Sequence, residues 1–286
     1  MDMKRKIAVV TGANSGMGLS TTIGLAKENI HVVMACRNQQ RGEEALRLAK
    51  EKSGASHIEL LLCDLEDFDS ISHFVEQFTN KWDVLDVLVN NAGVVSLKRK
   101  VTKEGYEAQL GVNHLGHFLL TFLLLDSLKA AQKARIVNVS SGAHKWGRIH
   151  FEDMNLETNY SVMKGYGQSK LANILFTKEL AKRLSHTDIT VNALHPGAVS
   201  TNLGINRSTG LGKSVYKVLN PFFQSPDKGA ETALYLAKST EVDDVTGGYF
   251  YKQKPARVSK RAKDPYLAQL LWEWSEEELS KKGYKK

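Results

Sequence analysis

Cysteine is nearly missing from this 286-residue chain, which has only Cys36 and Cys63. Neither has a partner at the short spacing that holds zinc, and two thiols make no disulfide framework, so both are read as buried and inert. A redox pairing is the alternative if the strands they end lie side by side. Long apolar runs are absent too. The greasiest stretch, Phe118 to Leu125, makes about two turns of helix, against the roughly 18 to 20 residues that cross a bilayer. Met1 to Lys6 is charged and leads into only the short run Ile7 to Val10 before a glycine turn, which argues against a secretory leader. No repeat of solenoid length and no low-complexity linker interrupts the chain. The net charge of +8 comes largely from Lys252 to Lys263 and Lys281 to Lys286. These segments carry no interleaved aromatic stripe, so they are read as solvated rather than as a nucleic-acid surface. No metal site is expected. What is left is a soluble, cytoplasmic protein without a membrane span, whose 42% hydrophobic residues suffice for one sizeable α/β core.

Ile7 to Val10 is a fully apolar run of the kind that forms a buried parallel strand. It leads into Thr11-Gly12-Ala13-Asn14-Ser15-Gly16-Met17-Gly18 and then a helical stretch, Leu19 to Lys27. Strand, glycine-rich turn and helix together present backbone N–H groups and a helix N-terminus to a pyrophosphate. The spacing is G-x-x-x-G-x-G, not the commoner G-x-G-x-x-G, and a plain strand-to-helix turn is the alternative. Strands are predicted at Ile7 to Thr11, His31 to Cys36, His57 to Cys63, Val84 to Asn90, Arg135 to Ser140, Ile189 to Leu194 and Tyr249 to Tyr251, with helices between them. This alternation predicts a Rossmann-type doubly wound parallel sheet of about seven strands with helices on both faces. Two segments break it, Gly142 to Met163 and Ser200 to Asp227. A last amphipathic helix, Pro265 to Lys281, carries Trp272 and Trp274 and is expected to pack on the domain, with a partner contact as the alternative.

Tyr166 and Lys170 stand four residues apart, which on a helix places a phenol and an ammonium on one face. A fixed cation stabilises phenolate and moves a poor proton carrier toward the working range. The same spacing recurs at Tyr160 and Lys164, so it does not identify a site unaided. Polar residues gather where two more predicted strands end, in Val87-Leu88-Val89-Asn90-Asn91-Ala92-Gly93 and in Arg135-Ile136-Val137-Asn138-Val139-Ser140-Ser141. Open α/β sheets bind ligands at those carboxyl ends.

The set T-G-x-x-x-G-x-G, N-N-A-G, S-S, Y-x-x-S-K and His195-Pro196-Gly197, in this order over nearly the whole chain, resembles the short-chain dehydrogenase/reductase family. The resemblance implies that Ser141, Tyr166 and Lys170 form the catalytic triad, with Asn113 as its fourth member. Tyr166 would exchange a proton with the substrate oxygen, Lys170 would lower the Tyr166 pKa and bind the nicotinamide ribose, and Ser141 would polarise the substrate oxygen. Tyr166 is preferred to Tyr160 because Gly165 precedes it and a good helical run from Leu171 to Leu184 follows. Ser141 is preferred to Ser140 because the family serine lies just past the strand. Asn113 sits between Gly111 and Gly116 in an otherwise apolar helix, where it marks either a bulge carrying a water route to Lys170 or a satisfied buried amide.

For the cofactor, the resemblance puts Gly12, Asn14, Ser15, Met17 and Gly18 around the pyrophosphate. Asp64 and Leu65 would meet the adenine, and Asn90, Ala92 and Gly93 would lie along the ribose and pyrophosphate. Asp64 also has the ordinary reading of loop or cap chemistry. Pro196, Gly197, Val199 and Thr201 resemble the P-G-x-x-x-T that holds the nicotinamide carboxamide. An acid at the end of the second strand would favour NAD by binding both ribose hydroxyls, but that place holds Cys36-Arg37-Asn38. Arg37, beside Asn38, can pair with a 2′-phosphate, so NADP(H) is the expected cofactor.

The stretches Val33 to Asn38, Val139 to His144, Ser169 to Phe176 and Leu194 to Gly197 are similar to the retinol dehydrogenase-like branch. That branch reduces hydrophobic aldehydes and ketones with NADPH. The resemblance therefore implies a hydrophobic carbonyl or alcohol as substrate. The alternatives are a non-catalytic NADP-binding sensor or scaffold and a steroid- or polyol-type alcohol dehydrogenase working in the oxidative direction. The chain is read as one NADP-binding domain over 1–286, with a substrate-binding lid over 200–228 and a C-terminal helical extension over 264–286. Assembly as a homo-oligomer is left open.

Overall fold

The computed structural model describes residues 5–197 and 225–284. Among the described residues one sheet has eight strands in the order β3-β2-β1-β4-β5-β6-β7-β8. In chain order they are β1 (Ile7–Thr11), β2 (His31–Cys36), β3 (Ile58–Leu62), β4 (Val87–Asn90), β5 (Arg135–Val139), β6 (Thr190–His195), β7 (Tyr249–Tyr251) and β8 (Lys254–Pro255). All neighbours are parallel except the last pair. The eighth strand, beyond the seven expected, arises because Lys252 and Gln253 both take positive φ, 50° and 60°, and fold the chain back in a two-residue hairpin. Its Pro255 cannot donate to a further strand and blunts that sheet edge.

The central strands are mostly apolar because both faces are covered; every residue of β1, β4 and β5 is buried. On one face lie α1 (Gly16–Lys27), α2 (Gln39–Ser53) and α8 (Pro226–Lys238). On the other lie α3 (Phe68–Thr79), the broken helix made of α4 (Ala108–Leu110), a π-helical turn (Gly111–Gly116) and α5 (His117–Leu123), then α6 (Leu125–Lys129) and the long α7 (Val162–Arg183). The start of α3 follows from its sequence: Asp67 Oδ1 accepts the N–H groups of Asp69 and Ser70 (2.9 and 3.3 Å), after which Phe68, Ile71, Phe74 and Phe78 supply a buried stripe.

The final helix, α9 (Pro265–Lys281), packs against α7, with Trp272 buried and stacked on Phe176 (centroids 6.0 Å apart). Lys252 to Lys263, read from the sequence as a solvated tail, is instead folded against the domain. Ala262 is fully buried, and the Ser259 N–H donates to His144 Nε2 (3.2 Å). Its charges point outward while its small residues pack, a split that net charge cannot show. Cys36 and Cys63 end adjacent strands, yet they belong to the cores on opposite faces of the sheet, which separates the thiols. Burial pushes the Cys36 thiol up to about 12, leaving it unreactive. Among the described residues no helix is long and apolar enough to cross a membrane, and no group of His, Cys, Asp and Glu could hold a metal ion. The expected lid lies, as far as residue 224, outside the described residues, as do Val199 and Thr201; the remainder of 200–228 opens α8.

Candidate active site

Strand order reverses between β1 and β4, so the loops leaving them diverge and open a cleft at the carboxyl ends of the strands. The two loops are stitched together at its floor. Thr11 Oγ1 accepts the N–H groups of Asn91 and Ala92, both at 2.9 Å, and Asn91 Nδ2 donates to Thr11 O at 2.7 Å. The glycine turn needs its glycines: Gly12 and Gly16 have φ of 62° and 54°, and a Cβ on Gly18 would lie 2.4 Å from Gly12 O.

Helices α2, α3, α7, α8 and α9 each have an N-cap side chain that accepts a backbone N–H. Helix α1 does not; Ser15 stands at its N-cap and its side chain bonds none of them. The α1 terminus borders the cleft beside Gly12, Asn14, Ser15, Met17 and Gly18. Its first-turn donors are thus left to an external acceptor, and the positive end of the helix favours an anionic one. The residues present therefore fit a dinucleotide pyrophosphate.

At one end of the cleft lie Cys63, Asp64, Leu65 and Glu66, facing Arg37, Asn38 and Arg41. Asp64 Oδ1 accepts the Glu66 N–H (3.0 Å), so this carboxylate shapes its own loop as well as lining the cleft. Asn38 Oδ1 caps α2 by accepting the Arg41 N–H (2.9 Å). Arg37 Nη1 is paired with Glu66 Oε1 at 2.8 Å.

Ser141, Tyr166, Lys170, Pro196 and Gly197 come together at the other end. Tyr166 and Ser141 both line this end, and Ser141 Oγ accepts the Ala143 N–H (3.2 Å). Ser140 turns away, donating to Lys170 O at 2.7 Å, which leaves Ser141 as the serine facing the phenol. Lys170 Nζ donates to Val139 O (3.1 Å) and lies 5.7 Å from the centre of the Tyr166 ring. Burial pulls the Lys170 ammonium down to about 8. Burial also raises the Tyr166 phenol above its usual range, with the Ser141 hydroxyl opposing it. Desolvation is thus the largest influence on the Tyr166 phenol, as it is on Lys170.

Tyr160 is elsewhere. Its hydroxyl donates to Ser96 O and accepts from Gln109 Nε2 (3.0 Å), while Lys164 Nζ donates to Asn159 O (3.0 Å). Asn113 lies in the π-helical turn and is fully buried. Its Oδ1 accepts the Val94 N–H (2.7 Å), and its Nδ2 donates to Val94 O (3.1 Å) and Ser169 Oγ (3.0 Å). Both ends of the amide are engaged with protein, holding the 93–94 loop against α7.

The structure brings Ala92 and Gly93 into the cleft but not the Asn90 side chain. Asn90 is buried beneath it, with Nδ2 donating to Asn138 Oδ1 (2.8 Å) and Thr121 Oγ1 (2.9 Å). Asn91, one residue on, lines the cleft instead, together with Thr11, Val94, Arg41 and Glu66. Arg41 was legible as a second cation four residues past Arg37, in the first turn of α2. Glu66 was not, because only the pairing of β2 with β3 brings it to Arg37.

The family model described as short chain dehydrogenase matches residues 6–211. Human retinol dehydrogenase 14 is 43% identical over 289 residues, covering 96% of this chain and 86% of that protein. Mouse retinol dehydrogenase 12 is 42% identical over 267 residues, covering 93% and 84%. Among solved structures, an uncharacterized protein from Mycobacterium paratuberculosis is 36% identical with a TM-score of 0.76, covering 97% of this chain and 95% of that one. A variant of actinorhodin polyketide ketoreductase with NADPH is 25% identical with a TM-score of 0.70, covering 86% and 95%. With the glycine turn, the uncapped α1 and the Ser141–Tyr166–Lys170 cluster in place, the chain belongs to the short-chain dehydrogenases, as a retinol dehydrogenase-like member of a family of nicotinamide-dependent oxidoreductases.

Proposed function

We propose that the protein is an NADP(H)-dependent oxidoreductase that interconverts a hydrophobic aldehyde or ketone and its alcohol, with Tyr166 as general acid/base. The observation that carries this reading is the convergence of Tyr166 and Ser141 beside a buried Lys170, at the end of a cleft that also holds the uncapped N-terminus of α1. A bound nicotinamide supplies or accepts the hydride. Ser141 orients the substrate oxygen, and Tyr166 gives it a proton as the carbonyl carbon is reduced. A phenol that keeps its proton at neutral pH suits that direction.

NADP(H) is preferred to NAD(H) because Arg37 lines the cleft where a ribose 2′-phosphate would reach and no acid replaces Cys36. A charge-assisted pair contributes about 1.5 to 3 kcal/mol, so Arg37→Ala is expected to weaken NADPH binding about ten- to a hundredfold and leave NADH nearly unchanged. Titration of both cofactors into both proteins checks this; equal affinities in wild type would overturn it.

An apolar substrate is supported by uncovered apolar surface beside the phenol. Met163 lies three residues before Tyr166 on the same helix and is 54% exposed; Trp146, against Gly167, is 53% exposed. Trp146→Ala is expected to lower kcat/KM for a long-chain or aromatic aldehyde by roughly tenfold, the equivalent of 1.4 kcal/mol of apolar contact, and to spare a small polar carbonyl. Equal losses on both substrates would assign Trp146 to scaffolding instead.

A further inference from the structure

Strands β2 and β3 are in register, with Cys36 opposite Leu62 and the Cys63 N–H donating to Cys36 O (3.0 Å), so the loops that follow leave the sheet side by side. Arg37 begins one loop and Glu66 ends the other. The Glu66 backbone is held on both sides, its N–H by Asp64 Oδ1 (3.0 Å) and its carbonyl by the Lys103 N–H (3.1 Å). The next residue, Asp67, is fixed as the cap of α3 and by Lys103 Nζ (2.9 Å). Only the Glu66 side chain is free to choose a partner, and it reaches into the cleft to meet Arg37 Nη1 at 2.8 Å.

We infer that Glu66 is a specificity-determining residue: its carboxylate competes with the ribose 2′-phosphate of the cofactor for Arg37, and so limits the preference for NADP(H) over NAD(H). The inference rests on the NADP(H) preference proposed above. Two anions cannot share one guanidinium edge at hydrogen-bond distance without repelling each other, so a phosphate that takes the Nη1 edge of Arg37 must displace the carboxylate. Displacement is feasible because the pair is open to solvent, the Arg37 and Glu66 side chains being 58% and 37% exposed, and exposed ion pairs are weak. When the ribose carries a hydroxyl instead, Glu66 keeps Arg37 neutralised and nothing has to move. The carboxylate therefore weakens binding of the phosphorylated cofactor selectively. Arg41, which lines the same end of the cleft, has no carboxylate partner among the described residues and is not subject to this competition.

The test is a double-mutant cycle read by direct titration of NADPH and NADH into wild type, Glu66→Gln, Arg37→Ala and the double variant. Glu66→Gln is expected to tighten NADPH about three- to tenfold, corresponding to the worth of an exposed pair plus relief of repulsion, while NADH moves less than about twofold. In the Arg37→Ala background the same substitution is expected to shift NADPH less than about twofold, since the contested partner is gone. Loss of NADPH affinity in Arg37→Ala with no gain in Glu66→Gln would overturn the role of Glu66 alone. An equal gain in both backgrounds would also overturn it, by showing that the carboxylate acts on the phosphate without Arg37. Wild type that binds both cofactors equally, unmoved by Arg37→Ala, would overturn the NADP(H) preference and the inference with it.

Discussion

Tyr166→Phe is expected to leave the fold and NADPH binding intact and to lower turnover about 10²- to 10⁴-fold, the usual contribution of a positioned general acid. The substitution removes only the hydroxyl that meets Ser141, while the ring stays packed beside Lys170. Tyr160→Phe supplies the contrast. Its hydroxyl bonds Ser96 O and Gln109 Nε2, so its loss is expected to lower stability by about 1 kcal/mol while leaving substantial activity. Steady-state reduction of an aromatic aldehyde, with circular dichroism and NADPH titration on each variant, separates the two effects. A folded but inactive Tyr160→Phe beside an active Tyr166→Phe would move the chemistry to the other Tyr and Lys pair. Full activity in Tyr166→Phe would overturn Tyr166 as the proton donor, whereas a wild type that binds NADPH but turns over no carbonyl would favour a nucleotide-binding sensor.

The second large effect is on stability in acid. His114 and His117 are fully enclosed on the broken helix beneath the site, and burial pulls them down to about 3 and about 4 from an ordinary 6.5. The Ser275 hydroxyl donates to Leu271 O (2.7 Å), so it accepts from His114 Nε2 (3.0 Å), and His114 Nδ1 has no partner. A proton there would sit unpaired against Phe118 and Phe176. His117 is held in the same way. Its Nδ1 donates to Asn113 O (3.2 Å), and its neutral Nε2 accepts the Thr11 hydroxyl (2.9 Å), which ties Asn113 to the glycine turn. Below about pH 6.5 the unfolded chain protonates both imidazoles and the folded chain does not. Stability is therefore lost as pH falls from about 6.5 toward 4, by about 1.4 kcal/mol per pH unit for each histidine. Urea unfolding at intervals from pH 7.5 to 4.5 is expected to show this slope, and His114→Leu is expected to flatten it by one histidine's share. An unchanged slope in the variant would mean that His114 already takes a proton in the folded protein.

Much of this was legible before any coordinates. The strand at Ile7–Thr11 and the helix at Pro265–Lys281 were read to the residue, because an apolar run between charged and glycine boundaries, or a proline at a helix start, defines an end locally. Asn113 was read as marking either a bulge or a satisfied buried amide; a π-helical turn occupies Gly111–Gly116, and both ends of the amide bond protein. Other boundaries moved by a few residues. The predicted Val84 start gave way to Val87, since Leu85 and Asp86 bond across to Ser127 and β1 rather than within a ladder.

Sequence by itself determined the layers, the glycine turn and the residue types of the candidate site, since these depend on periodicity, backbone sterics and spacing within one segment. It also separated Tyr166 from Tyr160, through the helix that only the first can use. Tertiary structure alone decided which polar side chains reach the cleft. Asn90 and Asn91 are adjacent and chemically identical, but alternation along β4 buries one against Asn138 and turns the other to the ligand side. The same holds for charge. That Arg37 meets Glu66, and that the basic stretch before α9 folds back to His144, are consequences of strand pairing between distant segments. Desolvation likewise exists only once the core has closed, so the sequence could place Lys170 beside Tyr166 but not show how deeply both are buried, which raises the phenol and lowers the ammonium.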